Sequence, residues 1–150
     1  MPNCIVHRLV AAPTGAVLAF DCARTQAPAA RFWETLGGGL GGDLGGRLPD
    51  IWNPPTHPNH RGWAHGILPA VAAARVIHPN VVSVQEWFRI QSERFAEQAR
   101  QHPHLAGQIW FALLDVLCRI LAGVTVGLPG GYASHLVLDA CTPAMLPIIC

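Results

Sequence analysis

The residues of this chain that could do chemistry are histidines and aspartates set in apolar or glycine- and proline-rich segments. They are His7, Asp50, His57, His60, His65, His135 and Asp139. His135 and Asp139 are the most informative pair, because residues four apart on a helix share one face and can reach a single cation. An ionised aspartate buried in that apolar segment without a partner would be costly. The pair therefore predicts either shared metal ligation or a helical His–Asp hydrogen bond, and taken alone the hydrogen bond is the simpler interpretation.

A second polar group follows a glycine-rich stretch, between Asp50 and His65. His60 and His65 flank Arg61, whose guanidinium can hold a phosphate or pair with a carboxylate. His57 lies among prolines, which is typical of a surface loop. Three histidines within nine residues beside an aspartate, in a chain with few charges, favour a binding site over unrelated surface residues.

The composition restricts the class of protein. Of the 150 residues, 51% are hydrophobic and only 13% are charged, with a net charge of +1; about 25% charged is usual. This excludes a disordered chain and a polycation. The ten cations are all arginines and are dispersed, so no specific nucleic-acid partner is expected. The five cysteines are odd in number and lack C-x-x-C spacing, which indicates a reduced compartment.

What remains is a single domain, residues 1–150, that is either a densely buried small protein or one that lies in or on a membrane. Hydrophobic periodicity predicts an all-α fold, a compact bundle of about five helices with a Pro/His-rich loop over 48–66 that carries part of the site. Proline is expected to kink or break the first helix, residues 4–20, near Pro13. The next predicted helices are a glycine-rich one over 27–47 and one over 67–77, which His78-Pro79-Asn80 ends. An amphipathic helix over 83–100 is opened by a Ser83–Glu86 capping box. The last two are predicted over 105–127, with an Asp115–Arg119 pair, and over 132–141, after Gly130-Gly131.

The glycine-rich helix carries two rows of glycines at helical spacing. One row is Gly37, Gly41 and Gly45, and the adjacent row is Gly38, Gly42 and Gly46. Glycine costs about 1 kcal/mol per residue in an exposed helix, so six in register favour close packing against another helix over a flexible linker. Such packing is common in membrane bundles, yet the longest uncharged run, residues 120–138, is interrupted by proline and glycine. A buried core helix therefore competes with a membrane span there.

Three segments resemble a known family in their order and spacing. LPDIWNPP, PNHRGWAHG and GYASHLVLDACTPAMLPI are similar to motifs of the YdjM-like family of inner-membrane, metal-dependent hydrolases, itself distantly similar to the zinc-dependent phospholipase C and single-strand nuclease superfamily. The family's early histidine and its L-P-D, H-R-G-x-x-H and G-Y-x-S-H-x-x-x-D motifs fall on His7, Asp50, His60 with His65, and His135 with Asp139.

The resemblance implies roles for these residues. Asp50, His60, His135 and Asp139 would form the principal metal site, and His7 would join it or bind a second ion bridged by Asp139. His65 would be a further ligand or a general acid–base, and Arg61 would hold the substrate phosphate or orient Asp50. A mixed shell of histidine and carboxylate suits zinc, and also manganese or another divalent ion. The implied location is the bacterial inner membrane, with the site facing a reduced compartment.

Three functions are open at this point. The first is a membrane-associated, metal-dependent hydrolase, with membrane lipid and a small phosphoester (phospholipid-like or a nucleotide) as partners. The second is a non-catalytic helical membrane protein in which a metal or polar cluster is structural. The third is a soluble binding protein whose apolar surface is the interface of a homo-oligomer.

Overall fold

The computed structural model describes the backbone of residues 4–52 and 67–140 and the side chains of residues 6–52 and 80–140. In these ranges the chain is all-α, as predicted, with four long helices and one helix of five residues. They are α1 (Cys4–Cys22), α2 (Pro28–Gly45), α3 (Leu48–Trp52), α4 (Ile67–Gln101) and α5 (Leu105–Ala140). α1, α2 and α5 pack against one another, and α4 packs along α5.

The bundle has about four helices rather than five, because two predicted breaks are absent. The segments 67–77 and 83–100 belong to one helix, α4, which runs through His78-Pro79-Asn80. The Ser83–Glu86 pair predicted to open a helix therefore lies in the interior of α4. Likewise α5 continues through Pro129 and the two glycines after it. The glycines are the points at which α5 contacts its neighbours, so packing outweighs their low helix propensity.

Two local predictions near the site also change. α1 continues through Pro13 without a break, and it packs on α2 on both sides of the proline, at Ala11 and at Gly15. Residues 48–52, predicted as the start of a loop, form α3. The rest of that predicted loop, residues 53–66, lies outside the described residues.

The glycine rows of α2 do pack closely, as predicted. Gly38 and Gly42 contact α1, whereas Gly37, Gly41 and Gly45 contact α5. A Cβ atom on Gly37 would lie 2.0 Å from the carbonyl oxygen of Ile120, a distance that no real Cβ tolerates. We call these contacts the glycine seam; its members are Gly37, Gly38, Gly41, Gly42 and Gly45 of α2, Gly15 of α1, and Gly123, Gly127 and Gly131 of α5.

Small residues fill the interior and large apolar residues cover the outside. The buried hydrophobic residues among those described are Ala11, Ala19, Ala23, Cys118, Ala122 and Leu136. Large apolar side chains on α1, α2 and α5 are exposed instead, among them Leu9 (68%), Phe32 (60%) and Val137 (63%). Within the described part of the chain, α5 is the one helix long and apolar enough to cross a membrane.

A buried ionic network ties α4 to the other helices. The Glu34 side chain of α2 is fully buried, and it accepts hydrogen bonds from Arg89 Nη2 of α4 at 2.7 Å and from Arg119 Nη1 of α5 at 3.2 Å. Arg89 also donates to the carbonyl oxygen of Cys22, at the end of α1. The predicted Asp115–Arg119 pair is present at 4.0 Å. Leaving one charge of such a network unpaired typically costs about 3–5 kcal/mol.

We expect Gly37→Ala to destabilise the protein, because the new methyl would overlap the α5 backbone. Overpacking of this kind costs about 1–3 kcal/mol. Gly39→Ala is the matched control: it lies in the same helix, but its Cβ would meet nothing closer than 3.7 Å. The control should be neutral or stabilising, because alanine is the better helix former. Thermal unfolding of the two variants measures the difference, and equal midpoints would contradict the close packing.

Candidate metal centre

A cluster of histidine and aspartate side chains lies where α1, α3 and α5 meet, beside the end of α2. His7 comes from α1, Asp50 from the first turn of α3, and His135 and Asp139 from successive turns of α5. The four-residue spacing places both α5 side chains on one face, as the sequence predicts. α3 begins three residues after α2 ends, which brings Asp50 back toward α5. The cluster thus joins α3 to α1 and α5, two helices that the glycine seam holds against α2.

The side chains of this cluster are close to one another. His135 Nε2 lies 3.4 Å from an Asp139 oxygen and 3.7 Å from an Asp50 oxygen. His7 Nε2 lies 3.7 Å from the other oxygen of Asp139. The two imidazole rings stack, with centroids 3.9 Å apart and planes inclined by 19°. His7, His135 and Asp139 are each buried, whereas about a third of the Asp50 side chain is exposed.

A backbone contact fixes the orientation of His135. Its Nδ1 lies 2.6 Å from the carbonyl oxygen of Gly46. Because a carbonyl only accepts hydrogen bonds, Nδ1 is the protonated nitrogen, and Nε2 faces the carboxylates of Asp50 and Asp139. A lone pair on Nε2 directed at two carboxylates would be repelled, so a proton or a metal ion is needed between them. Metal-binding histidines commonly donate their second N–H to a backbone carbonyl in this way.

The distances are compatible with a shared metal ion. A good N–H···O bond spans about 2.7–3.2 Å, which is shorter than all three His–Asp separations. Two ligand atoms on a tetrahedral ion at about 2.0–2.1 Å lie about 3.3–3.4 Å apart. The separation of His135 Nε2 and Asp139 Oδ2 matches that value. One ligand atom from each of His7, His135 and Asp139 falls within 4.8 Å of the others, so these residues fit a shared ion.

The structure brings together four of the five residues predicted to bind metal: His7, Asp50, His135 and Asp139. The fifth, His60, and the residues predicted to be catalytic, Arg61 and His65, lie outside the described residues. The sequence did not indicate the role of Gly46, whose backbone oxygen binds His135. It also gave no weight to Glu34, although this is the one acidic residue between positions 22 and 42.

Comparisons of this chain with protein-family models, with curated proteins and with solved structures found no significant match.

We expect the purified protein to retain a divalent metal and Asp139→Asn to lose it. The amide keeps the shape of the side chain but removes the negative charge that the ion requires. Asp21→Asn is the matched control, because Asp21 is exposed and far along α1, in an ion pair with Arg24. Elemental analysis of protein prepared without added metal measures the content. Substoichiometric zinc, manganese, iron and nickel in the wild-type protein would contradict the site.

Proposed function

We propose that this chain is a membrane-embedded, metal-dependent hydrolase of phosphoesters. The observation that carries the proposal is the buried group of His7, His135 and Asp139, with Asp50 beside it. Zinc is the ion that such a mixed shell favours, and manganese or another divalent ion is the alternative. When bound, the ion would polarise a phosphoryl oxygen and make a coordinated water more acidic. The resemblance to the YdjM-like family supports the same chemistry.

The unequal exposure of the cluster supports a catalytic role. Structural metal sites are closed by protein ligands, whereas catalytic sites keep an open position. His135 is held from behind by the carbonyl of Gly46, and His7 is buried beside it. Asp50 is the cluster's exposed member, so a substrate would approach from the side of α3. The resemblance assigns the neighbouring Arg61 to the substrate phosphate and His65 to proton transfer.

The distribution of side chains supports a membrane environment. A soluble bundle buries its leucines and phenylalanines, whereas here glycine and alanine form the interior and large apolar residues face outward. The uncharged run 120–138 of α5 has a length of about 28 Å, close to the hydrocarbon core of a bilayer, which is about 30 Å. Buried polar residues such as Glu34 and His135 face the bundle, as ionisable residues within membranes usually do.

We expect the protein to remain with the membrane fraction after a high-salt or alkaline wash and to need detergent for extraction. We expect this retention and this need for detergent because the large exposed apolar residues must be removed from water. Fractionation of cells followed by immunoblotting measures this. Recovery of a monodisperse protein in buffer without detergent would instead favour a soluble oligomer in which copies cover each other's apolar surface.

A structural role for the metal is the second candidate. It is favoured by the burial of His7, His135 and Asp139, since the ion would join α1 to α5. The two candidates differ in what happens when the metal is removed. A structural ion holds the fold, so chelation would melt the bundle. A catalytic ion in a bundle already held by the glycine seam would leave when chelated, with most of the helical structure kept.

We expect the metal-loaded protein to hydrolyse a simple phosphodiester such as bis(p-nitrophenyl) phosphate, and Asp139→Asn to reduce the rate by at least about a hundredfold. Mutation of an outer-shell partner typically costs about 10–100-fold, and removal of a ligand's charge should cost at least the upper end of that range. Chelation should abolish turnover while circular dichroism stays helical, and added metal should restore it. Asp21→Asn should match the wild-type rate. Absence of turnover together with unfolding on chelation would establish the structural role instead.

A further inference from the structure

The turn between α4 and α5 carries two histidines that the candidate metal centre does not use. They are His102 and His104, on either side of Pro103, and their ring centroids lie 6.0 Å apart with planes inclined by 61°. Leu105, next to this turn, is thirty residues before His135 on α5, which is about 45 Å along the helix axis. The two histidines therefore lie at the other end of α5 and cannot share an ion with the candidate metal centre.

Contacts on several sides hold His102 in place. Its backbone N–H donates to the carbonyl oxygen of Gln98 at 3.0 Å, and its carbonyl oxygen accepts from Gln108 Nε2 at 2.8 Å. Its imidazole ring packs against the ring of Phe111, with centroids 5.7 Å apart. The imidazole is thus ordered before any ligand binds, which lowers the entropy cost of binding.

Gly107, in the first turn of α5, makes room for this imidazole. A Cβ atom on Gly107 would lie 2.1 Å from Cε1 of His102, a distance that real Cβ atoms do not show. The three atoms nearest to that Cβ position all belong to the His102 ring. Glycine is a poor helix former, and the glycines of the seam make room for another helix. Gly107 instead makes room for one histidine side chain, and an alanine there would displace it.

The hydrogen bonds of the His102 ring suit a metal ligand. Its Nδ1 lies 3.1 Å from the carbonyl oxygen of His104 and 3.2 Å from the backbone nitrogen of His104. A protonated Nδ1 donates to that carbonyl, and an unprotonated Nδ1 accepts from that N–H, so the backbone of His104 satisfies either tautomer. An ion bound at Nε2 therefore costs no hydrogen bond at Nδ1. An Nδ1–H that donates to a backbone carbonyl is also the arrangement that metal-binding histidines commonly adopt.

We propose that His102 and His104 bind one divalent ion of nickel, copper or zinc, with water in the remaining positions. Imidazole is a ligand that these ions favour, whereas magnesium and calcium prefer oxygen. Two imidazoles on one tetrahedral ion, at about 2.0–2.1 Å from it, have centroids about 5 Å apart. The His104 side chain is exposed, so it can rotate to approach His102 by the remaining distance of about 1 Å. The inference does not depend on the hydrolase function proposed above.

The test measures nickel bound at equilibrium dialysis by the full-length protein, in mild detergent and without a histidine tag. All variants are made in the Asp139→Asn protein, so that the candidate metal centre is disrupted throughout. We expect His102→Gln and His104→Gln each to lose one equivalent of nickel, and the double variant to lose the same one equivalent, because both rings hold one ion. Since His104 is exposed, its replacement leaves the fold intact. Unchanged binding in the single variants, or losses that add in the double variant, would overturn the proposal.

A second pair of variants tests whether the turn positions the ligands. Gly107→Ala keeps both imidazoles but displaces the His102 ring, so the affinity for nickel should fall about tenfold, as it does when the outer contacts of a metal ligand are lost. Gly39→Ala is the matched control, because its Cβ would meet nothing closer than 3.7 Å, and it should not change the affinity. Equal affinities in these two variants would refute the positioned site. If the turn binds nickel in a protein that hydrolyses nothing, this site stands and the hydrolase proposal fails.

Discussion

The close approach of three helix backbones at the glycine seam is the constraint on which the remainder of the structure depends. Because carbonyl oxygens of α5 lie where side chains of α2 would otherwise be, the interior has no room for large apolar residues. Those residues are displaced to the outer surface, which gives the protein its exposed leucines and phenylalanines. The same closeness brings the Gly46 carbonyl within hydrogen-bond distance of His135. The seam thus determines both the character of the surface and the geometry of the candidate metal centre.

The two buried carboxylates of the bundle are balanced in different ways. Glu34 is neutralised by Arg89 and Arg119, which keep their charge at any physiological pH. Asp139 is faced by His7 and His135, which are neutral or charged according to their surroundings. A carboxylate that is buried for structural reasons alone would be stabilised better by arginine, which keeps its positive charge. The use of two histidines at Asp139 is what a group that exchanges protons or binds a metal requires.

Helical spacing alone determines three features that could be predicted from the sequence. They are the all-α class, the close packing of the glycine rows and the convergence of His135 and Asp139. The breaks at His78-Pro79-Asn80 and Gly130-Gly131 were wrong, because local propensity was weighed without the tertiary contacts that override it. Neither the Gly46 carbonyl nor the partners of Glu34 could be predicted. The first is a backbone atom with no residue type to recognise, and the second requires knowing which faces of α4 and α5 meet.

The Glu34 network and the candidate metal centre lie at opposite ends of the glycine seam, and this separation bears on where the proposed bilayer lies. Glu34 and the Gly46 carbonyl are twelve residues apart on or just beyond α2, which is about 18 Å along the helix axis. Beyond Glu34, α4 carries exposed charges such as Glu97 and Arg100, which hydrocarbon would not accept. The apolar zone therefore extends from the metal centre past the buried Glu34 network toward these exposed charges, so a hydrocarbon core of about 30 Å would include Glu34. On that placement Asp50 would meet the headgroup region, where the phosphoester of a lipid or a small soluble phosphoester could reach the candidate metal centre.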